Sequence, residues 1–281
     1  MALARAPLRD SSALRTNLAA LRQRAAEDGY LFLPGLLPPS AVLAVRGAIL
    51  EICHDAGWCD RSGCWSGIPP YVEGQPEHRA VYEGIQRLEI FHRLAVRPEL
   101  IALYAGLFGE AVLAHPRNIA RVMFPQNNRH ATPAHQDGIL IRGTPETWTA
   151  WIPLGEIPAD LGGLALLAGS HHESLLATHP ALGAGGLAVD TAALPYAWVG
   201  GDMAAGDVLT FHSRTVHQAL PNGTPDRMRL SADFRYQPAS HPVAGDSLLP
   251  HMGYLTWEQI YAGWSESAGQ YYWREGSLTV Q

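Results

Sequence analysis

Six short apolar segments between residues 111 and 240, each bounded by glycine, proline, asparagine or another turn-forming residue, constrain the fold of this chain most. Their length and their β-branched and aromatic residues predict β-strands separated by turns. Many short strands joined by irregular turns are typical of a sandwich or jelly roll. The six segments are NIARVMFP, GILIRG, TWTAWIPL, GLALLAGS, GDVLTFHS and RLSADFRYQP, which begin at residues 118, 138, 147, 163, 206 and 229.

The first hundred residues have a different pattern, with apolar residues at helical spacing. One helix carries Leu14, Leu18, Leu21 and Ala25 on one face and ends at Gly29. A short strand, YLFL, follows it. A second predicted helix begins after Pro38 and ends near Gly57, and a third runs from Pro98 to Gly109.

These patterns predict one domain over residues 1–281. Residues 1–110 form a mostly helical part that braces one sheet, and residues 111–240 form the jelly-roll core. Residues 241–281, which contain several tryptophan and tyrosine residues, form an extension of packed irregular structure or helix. Residues 173–200 are long and rich in alanine and glycine, which predicts a mobile lid.

Composition excludes several function classes. The net charge of −6 and the pI near 6.1 leave no basic footprint for nucleic acid. No run of 18 apolar residues and no apolar signal core is present, so we expect no membrane association. Cys53, Cys59 and Cys64 cannot all pair and do not form a C-x-x-C pattern. We therefore expect a protein of the reducing cytoplasm.

The stretch PAHQDGILIRG contains a candidate metal-binding pair, His135 and Asp137. On a β-strand, residues i and i+2 point to the same face, so both side chains could reach one ion. Two histidines and one carboxylate form the facial triad of non-haem iron oxygenases. With 13 His and 26 acidic residues in the chain, chance supplies about one His-x-acid match. A second match, His171 and Glu173, does occur, so the pair alone is weak evidence.

A third ligand should lie on a late strand, because a jelly roll brings early and late strands side by side. GDVLTFHSRTVHQ offers two candidates. His212 lies inside the apolar run, and His217 lies at the far end of the strand. The spacing of the residues leaves both open.

The order of these motifs resembles the phytanoyl-CoA dioxygenase family of iron(II)- and 2-oxoglutarate-dependent oxygenases. HQD is followed by GSH, by GDVLTFH with a second histidine five residues later, by NGT, and by RLS. The opening segment EDGYLFLPGLLPPS is also similar, and the resemblance covers roughly residues 27–237. It implies a double-stranded β-helix, a cupin-like jelly roll, in which His135, Asp137 and His217 bind iron(II).

The co-substrate 2-oxoglutarate needs a bidentate cation for the carboxylate that does not chelate the metal. Arg227 and Arg229 lie two residues apart, so strand periodicity does not separate them. The resemblance selects Arg229 and places the Ser231 hydroxyl beside it. Arg227 stays the alternative, because the spacing from His217 to Arg229 is one residue longer than is usual in the family.

Two further positions are predicted to line the co-substrate pocket. Trp151 matches a tryptophan of the family, although a core aromatic residue would look the same. Arg121 lies on the predicted strand that precedes the His-x-Asp pair, and its side chain faces either the cavity or the surface.

The resemblance implies an enzyme that uses O₂ and 2-oxoglutarate, releases succinate and CO₂, and hydroxylates or otherwise oxidises a C–H bond. We expect a small-molecule substrate of secondary metabolism and a monomer or homodimer. Asp137 argues against a halogenase, in which a small residue replaces the carboxylate. The alternatives are an oxoglutarate-independent metal dioxygenase of the cupin type, a zinc hydrolase, and a non-catalytic jelly-roll ligand-binding protein.

Overall fold

Two antiparallel sheets form the centre of the protein, and the structure, a computed structural model, describes residues 5–281. The strands are β1 (Tyr30–Leu33), β2 (Val112–Ala114), β3 (Ile119–Met123), β4 (Trp148–Pro153), β5 (Leu164–Leu167), β6 (Thr178–Pro180), β7 (Leu187–Val189), β8 (Trp198–Val199), β9 (Val208–His212), β10 (His217–Ala219) and β11 (Arg229–Pro238). The helices are α1 (Leu18–Asp28), α2 (Pro39–Asp55), α3 (Pro76–Gln86), α4 (Glu89–Ala95), α5 (Pro98–Phe108), α6 (Gly138–Ile141) and α7 (Trp257–Tyr261).

The larger sheet has the order β1-β9-β4-β11-β2, and β3 also pairs with β11. The smaller sheet has the order β10-β5-β8. Side chains from both sheets line one cavity between them, among them Trp151 of β4 and Leu164 of β5. Neighbours that are far apart in sequence, such as β4 and β11, are the mark of a jelly roll, and the predicted fold is confirmed.

Helices α1 to α5 cover the outer face of the larger sheet, as predicted. The strand β11 shows how, because its alternate residues Leu230, Ala232, Phe234 and Tyr236 belong to the same buried cluster as the helices. Gly29 and Gly109 end α1 and α5 in the left-handed conformation, with φ of 71° and 78°. Helices α3 and α4 were not singled out in the sequence.

Five of the six predicted strand segments contain a strand, but the prediction for GILIRG is wrong. Residues Gly138–Ile141 form the short helix α6. Asp137, which precedes it, is already in the right-handed helical conformation. A run of three apolar residues is too short for periodicity to distinguish a helix from a strand.

The segment from residue 173 to 200 is more structured than predicted. It contains the hairpin of β6 and β7 and the short strand β8, which belongs to the smaller sheet. The C-terminal extension has one short helix, α7, and several turns around a separate apolar cluster that includes Trp257 and Trp273. Among residues 5–281, no helix is both long enough and apolar enough to cross a bilayer.

Candidate metal and co-substrate site

His135, Asp137 and His217 meet at one end of the cavity. All three side chains are buried, and one potential ligand atom from each lies within 4.8 Å of the others. The backbones of His135 and His217 exchange two hydrogen bonds of 3.0 Å, which places the first histidine at the edge of β10. These two hydrogen bonds bring together histidines that are far apart in the sequence. The structure therefore places the three residues of the predicted group next to one another.

The predicted strand through His135 and Asp137 is not found. The two residues do not share the face of a continuous strand. His135 forms an isolated β-bridge, and the chain then turns at Asp137 into α6, which begins at Gly138. Asp137 reaches the histidines from the start of this helix. Gly138 donates its backbone N–H to the Ser213 carbonyl at 2.8 Å, which holds the turn against the end of β9.

Both histidines are oriented for metal binding by their own backbone. Nδ1 of His135 lies 2.9 Å from the Pro133 carbonyl, and Nδ1 of His217 lies 3.0 Å from the Thr215 carbonyl. A carbonyl only accepts, so each Nδ1 carries the hydrogen and each Nε2 keeps its lone pair. The two Nε2 atoms lie 3.5 Å and 3.9 Å from the same oxygen of Asp137, Oδ1.

The other carboxylate oxygen of Asp137 is held by the protein. Oδ2 accepts a hydrogen bond of 2.6 Å from the Thr149 hydroxyl and lies 3.5 Å from Nη2 of Arg235. Burial alone would raise the pKa of this carboxyl, but the Arg235 guanidinium beside it holds the pKa well below its usual value. Asp137 is thus a fixed carboxylate with one oxygen directed at the imidazoles.

Two imidazole nitrogens and one carboxylate oxygen on one side of an ion suit iron(II), since they leave the opposite positions open. The donor set of this site therefore fits the metal that the resemblance implies. The competing histidines lie elsewhere. Nδ1 of His212 accepts from the Arg214 backbone N–H at 3.1 Å, and Nε2 of His171 lies 3.0 Å from the Ala26 carbonyl.

Arg229 enters the same cavity from the start of β11. Its side chain is 3% exposed, and Nη1 donates to the carbonyls of Gly162 and Gly163 at 2.6 Å and 3.3 Å. Its Nε is buried without a hydrogen-bond partner, and no carboxylate among residues 5–281 lies within ion-pair distance. Burial lowers the pKa of Arg229 to about 10, so the guanidinium remains charged at neutral pH.

Trp151 lines the same cavity as this arginine, and Ser231 follows Arg229 on the same face of β11. The Ser231 hydroxyl is buried without a partner, and the Arg229 guanidinium lies 6.0 Å from the centre of the Trp151 ring. Arg227, the alternative, is exposed and outside the cavity. A buried guanidinium without an ion-pair partner among the described residues, followed by a free hydroxyl on the same face of the strand, suits a carboxylate ligand.

Arg121 lines the cavity with its side chain partly exposed, and its guanidinium is already paired. Nε lies 3.0 Å from Oδ2 of Asp233, and Nη1 lies 3.6 Å from Oε1 of Glu73. It is therefore less suited to a second anion than Arg229.

Sequence reasoning missed four polar residues of this cavity, Thr132, Thr149, Asp233 and Arg235. A usable signal exists for the last two. Arg229, Ser231, Asp233 and Arg235 alternate with apolar residues along RLSADFRYQP, so all four belong to one face of the strand. For Thr149 no comparable signal exists, because Thr is also common in strands for packing reasons.

Comparison with known proteins agrees with this geometry. The sequence model of the family described as phytanoyl-CoA dioxygenase (PhyH) matches residues 25–231. A curated relative, the 1-deoxypentalenic acid 11-beta-hydroxylase of Streptomyces arenae, is 28% identical over 242 residues, which cover 80% of this chain and 82% of the relative.

Solved structures of similar fold include two enzymes of nogalamycin biosynthesis. The epimerase SnoN, solved with Fe³⁺ and alpha-ketoglutarate, has a TM-score of 0.59 and 22% identity over 81% of this chain and 86% of SnoN. The carbocyclase SnoK has a TM-score of 0.58 and 23% identity over 82% of this chain and 87% of SnoK. At this level of identity the likeness establishes the fold.

Proposed function

The chain belongs to the phytanoyl-CoA dioxygenase family, and we propose that it is an iron(II)- and 2-oxoglutarate-dependent oxygenase that hydroxylates a C–H bond of a small molecule. In this proposal His135, Asp137 and His217 hold the iron. Arg229 and Ser231 bind the carboxylate of 2-oxoglutarate that is remote from the metal, and Trp151 lines the co-substrate pocket.

One observation carries the proposal. The three potential ligand atoms lie within 4.8 Å of one another in the same cavity as a buried guanidinium that has no carboxylate partner in the described part of the chain. An oxoglutarate-independent dioxygenase has no use for such an arginine, and burying an unpaired charge is costly without a ligand. The combination supports a site for a metal ion and a dicarboxylate together.

Iron(II) supplies the activation of O₂, coupled to the decarboxylation of 2-oxoglutarate to succinate and CO₂, when both are bound. The protein contributes orientation and a dry cavity. Thr149 and Arg235 fix Asp137 so that one oxygen faces the metal position. Leu164, Phe211 and Trp151 line the cavity and exclude water from the reacting groups.

The named relatives support a substrate from secondary metabolism. The curated relative is a hydroxylase of 1-deoxypentalenic acid, and the two structural neighbours are an epimerase and a carbocyclase of nogalamycin biosynthesis. Hydroxylation is the outcome that we propose, because the relative with the highest identity among these three is a hydroxylase. The segment from residue 173 to 200 is proposed as the lid.

We also propose a cytoplasmic protein that is a monomer or a homodimer. The three cysteines, Cys53, Cys59 and Cys64, are free thiols, which suits a reducing compartment.

Turnover of the co-substrate tests the proposal without knowledge of the substrate. Purified protein with iron(II), 2-oxoglutarate and O₂ should form succinate slowly, and mass spectrometry should find one oxygen atom from ¹⁸O₂ in that succinate. The Asp137→Ala variant is the control and should form none. Succinate formation that needs no iron, or none from the wild-type protein, would refute the assignment.

A further inference from the structure

A second cavity adjoins the candidate metal site at the Arg235 end of β11. It has a volume of about 280 Å³ and shares His135 and Asp137 with the cavity described above. This volume is close to the lower end of small-molecule pockets, roughly 300 Å³. Part of the wall is apolar and consists of Ile119, Leu140, Ile141 and Met252.

The polar part of the wall contains a cation without a counterion. Nη1 of Arg117 donates to the backbone carbonyls of Asp246 and Pro250 at 3.1 Å and 3.3 Å, and no carboxylate among residues 5–281 forms an ion pair with Arg117. Burial and the nearby charge of Arg235 lower the pKa of Arg117. A guanidinium held by two carbonyls still has donors left for an anion.

Arg235 is the second cation of this wall. It is 7% exposed, and among residues 5–281 its Nε has no hydrogen-bond partner and its one ion pair is the long contact of 3.5 Å with Asp137. The Asp137 carboxylate is also the proposed iron ligand. A bound iron ion would therefore reduce the negative charge that is available to neutralise Arg235.

The acidic groups of the cavity do not neutralise these two arginines. Asp246 directs its carboxylate to Arg142 on the outer surface. Glu73 lies 3.6 Å from Arg121, which also pairs with Asp233. The inner wall therefore presents two guanidinium groups that the protein itself leaves without a full counterion.

A neutral donor completes the wall. The Tyr82 hydroxyl lies 2.6 Å from Nδ1 of His251, whose ring lines the cavity. Burial, together with the charges of Arg121, Arg117 and Arg235, holds the pKa of His251 well below its usual value, so the ring is neutral. In the tautomer in which Nδ1 accepts from the Tyr82 hydroxyl, Nε2 of the same ring carries the hydrogen and can donate it to a ligand.

We propose that this cavity binds the substrate as a compact apolar molecule bearing a carboxylate, which is held between Arg117 and Arg235 with Nε2–H of His251 as a third donor. The inference rests on the proposed function, since it takes the adjoining triad as the reacting centre. The carboxylate fixes one end of the molecule, and the apolar body lies along Leu140 and Ile141 beside the metal ligands. The co-substrate remains at Arg229, six residues away on the same strand.

Calorimetry with a simple probe pair tests this assignment. The probes are 1-adamantanecarboxylate and its neutral carboxamide, which have the same apolar cage. We expect the wild-type protein, both metal-free and loaded anaerobically with iron(II) and 2-oxoglutarate, to bind the carboxylate about tenfold to a hundredfold more tightly, as for a charge-assisted hydrogen bond. The metal-free measurement keeps this test independent of catalysis.

Substitution of Arg117 identifies the residue responsible. Arg117→Gln should lose most of the preference for the carboxylate, and Arg117→Lys should keep part of it. Arg61→Gln is the matched control, because Arg61 is exposed and pairs with Glu51 on α2. Circular dichroism and the thermal midpoint show that each variant is folded.

Four outcomes would overturn the inference. These are no binding of the carboxylate, equal affinity for carboxylate and carboxamide, an unchanged preference in folded Arg117→Gln, and displacement of the carboxylate by 2-oxoglutarate in the metal-free protein. The last result would place the co-substrate in this cavity. Failure of the succinate assay with a retained carboxylate preference would instead refute the proposed reaction and leave this site standing.

Discussion

The two faces of β11 are equally buried but differ in chemistry. On the outer face Leu230, Ala232, Phe234 and Tyr236 pack against the helices, and the Tyr236 hydroxyl donates to the Ala95 carbonyl at 2.6 Å. On the inner face, each of four polar side chains has a buried atom without a hydrogen-bond partner: Arg229, Ser231, Asp233 and Arg235. Because successive side chains of a strand point to opposite faces, the outer face of β11 contributes to the core and the inner face contributes to the candidate site.

The difference has an energetic meaning. A buried polar atom without a partner costs about 1–3 kcal/mol, so the inner face destabilises the folded chain unless a ligand satisfies it. Polar groups retained at such a cost are typical of functional sites. Changes on the outer face should therefore reduce the free energy of unfolding, and changes on the inner face should reduce ligand binding.

The largest expected effect lies at the metal ligands that the inner face surrounds. His135→Ala, Asp137→Ala and His217→Ala should each abolish iron binding and succinate formation, because three protein ligands are the minimum for this site. Metal analysis after gel filtration measures this. His171→Ala and Glu173→Ala, the other His-x-acid pair, are the controls and should retain iron. The reverse pattern would move the metal site to that pair.

The next effect is on the outer face. Phe234→Ala should lower the free energy of unfolding by roughly 3–5 kcal/mol, since the ring is fully buried and its loss leaves a cavity. Urea denaturation gives the value. Iron and 2-oxoglutarate affinity of the folded fraction should not change. A loss of co-substrate affinity with normal stability would break the division between the two faces.

A smaller effect is expected for the inner arginine. Arg229→Ala should weaken 2-oxoglutarate binding by roughly 2–4 kcal/mol, as for truncation of a buried charge pair. Calorimetry on the anaerobic iron-loaded protein measures it. Arg227→Ala is the matched control, because this exposed arginine lies two residues earlier on the same chain. Equal co-substrate affinity in wild type and Arg229→Ala would remove Arg229 from the site.

The smallest effect concerns Ser231. Ser231→Ala should reduce 2-oxoglutarate affinity by about 0.5–1.5 kcal/mol, the contribution of one hydrogen bond, and leave the free energy of unfolding unchanged or slightly higher. The hydroxyl has no partner within the protein to lose. A clear loss of stability with normal co-substrate affinity would assign Ser231 to the fold.

Short apolar segments between turn residues predicted the jelly roll, and the resemblance to the family selected His135, Asp137 and His217 as the candidate metal ligands. The strand prediction failed at GILIRG, where three consecutive apolar residues are too few to show a helical or a strand period. The inner face of β11 was only half recognised. Its alternation was visible in RLSADFRYQP, but Asp233 and Arg235 were not connected with the site.

The second cavity was beyond sequence reasoning for a different reason. Arg117, Tyr82 and His251 come from three distant segments, and no motif links them. Only the packing of α3 and the C-terminal extension onto the sheet brings them together. The Arg235–Asp137 contact likewise depends on the turn into α6, which the sequence did not predict.

The central claim is that the inner face of β11 and the triad form one site for iron(II) and 2-oxoglutarate. The most direct test is to titrate 2-oxoglutarate into anaerobic iron(II)-loaded protein and record the visible spectrum. The weak charge-transfer band of the chelate should appear, saturate at one equivalent, and be insensitive to chloride because Asp137 occupies the third ligand position. Asp137→Ala should show no band, and Arg229→Ala should need far more 2-oxoglutarate. No band with the wild-type protein would contradict the account.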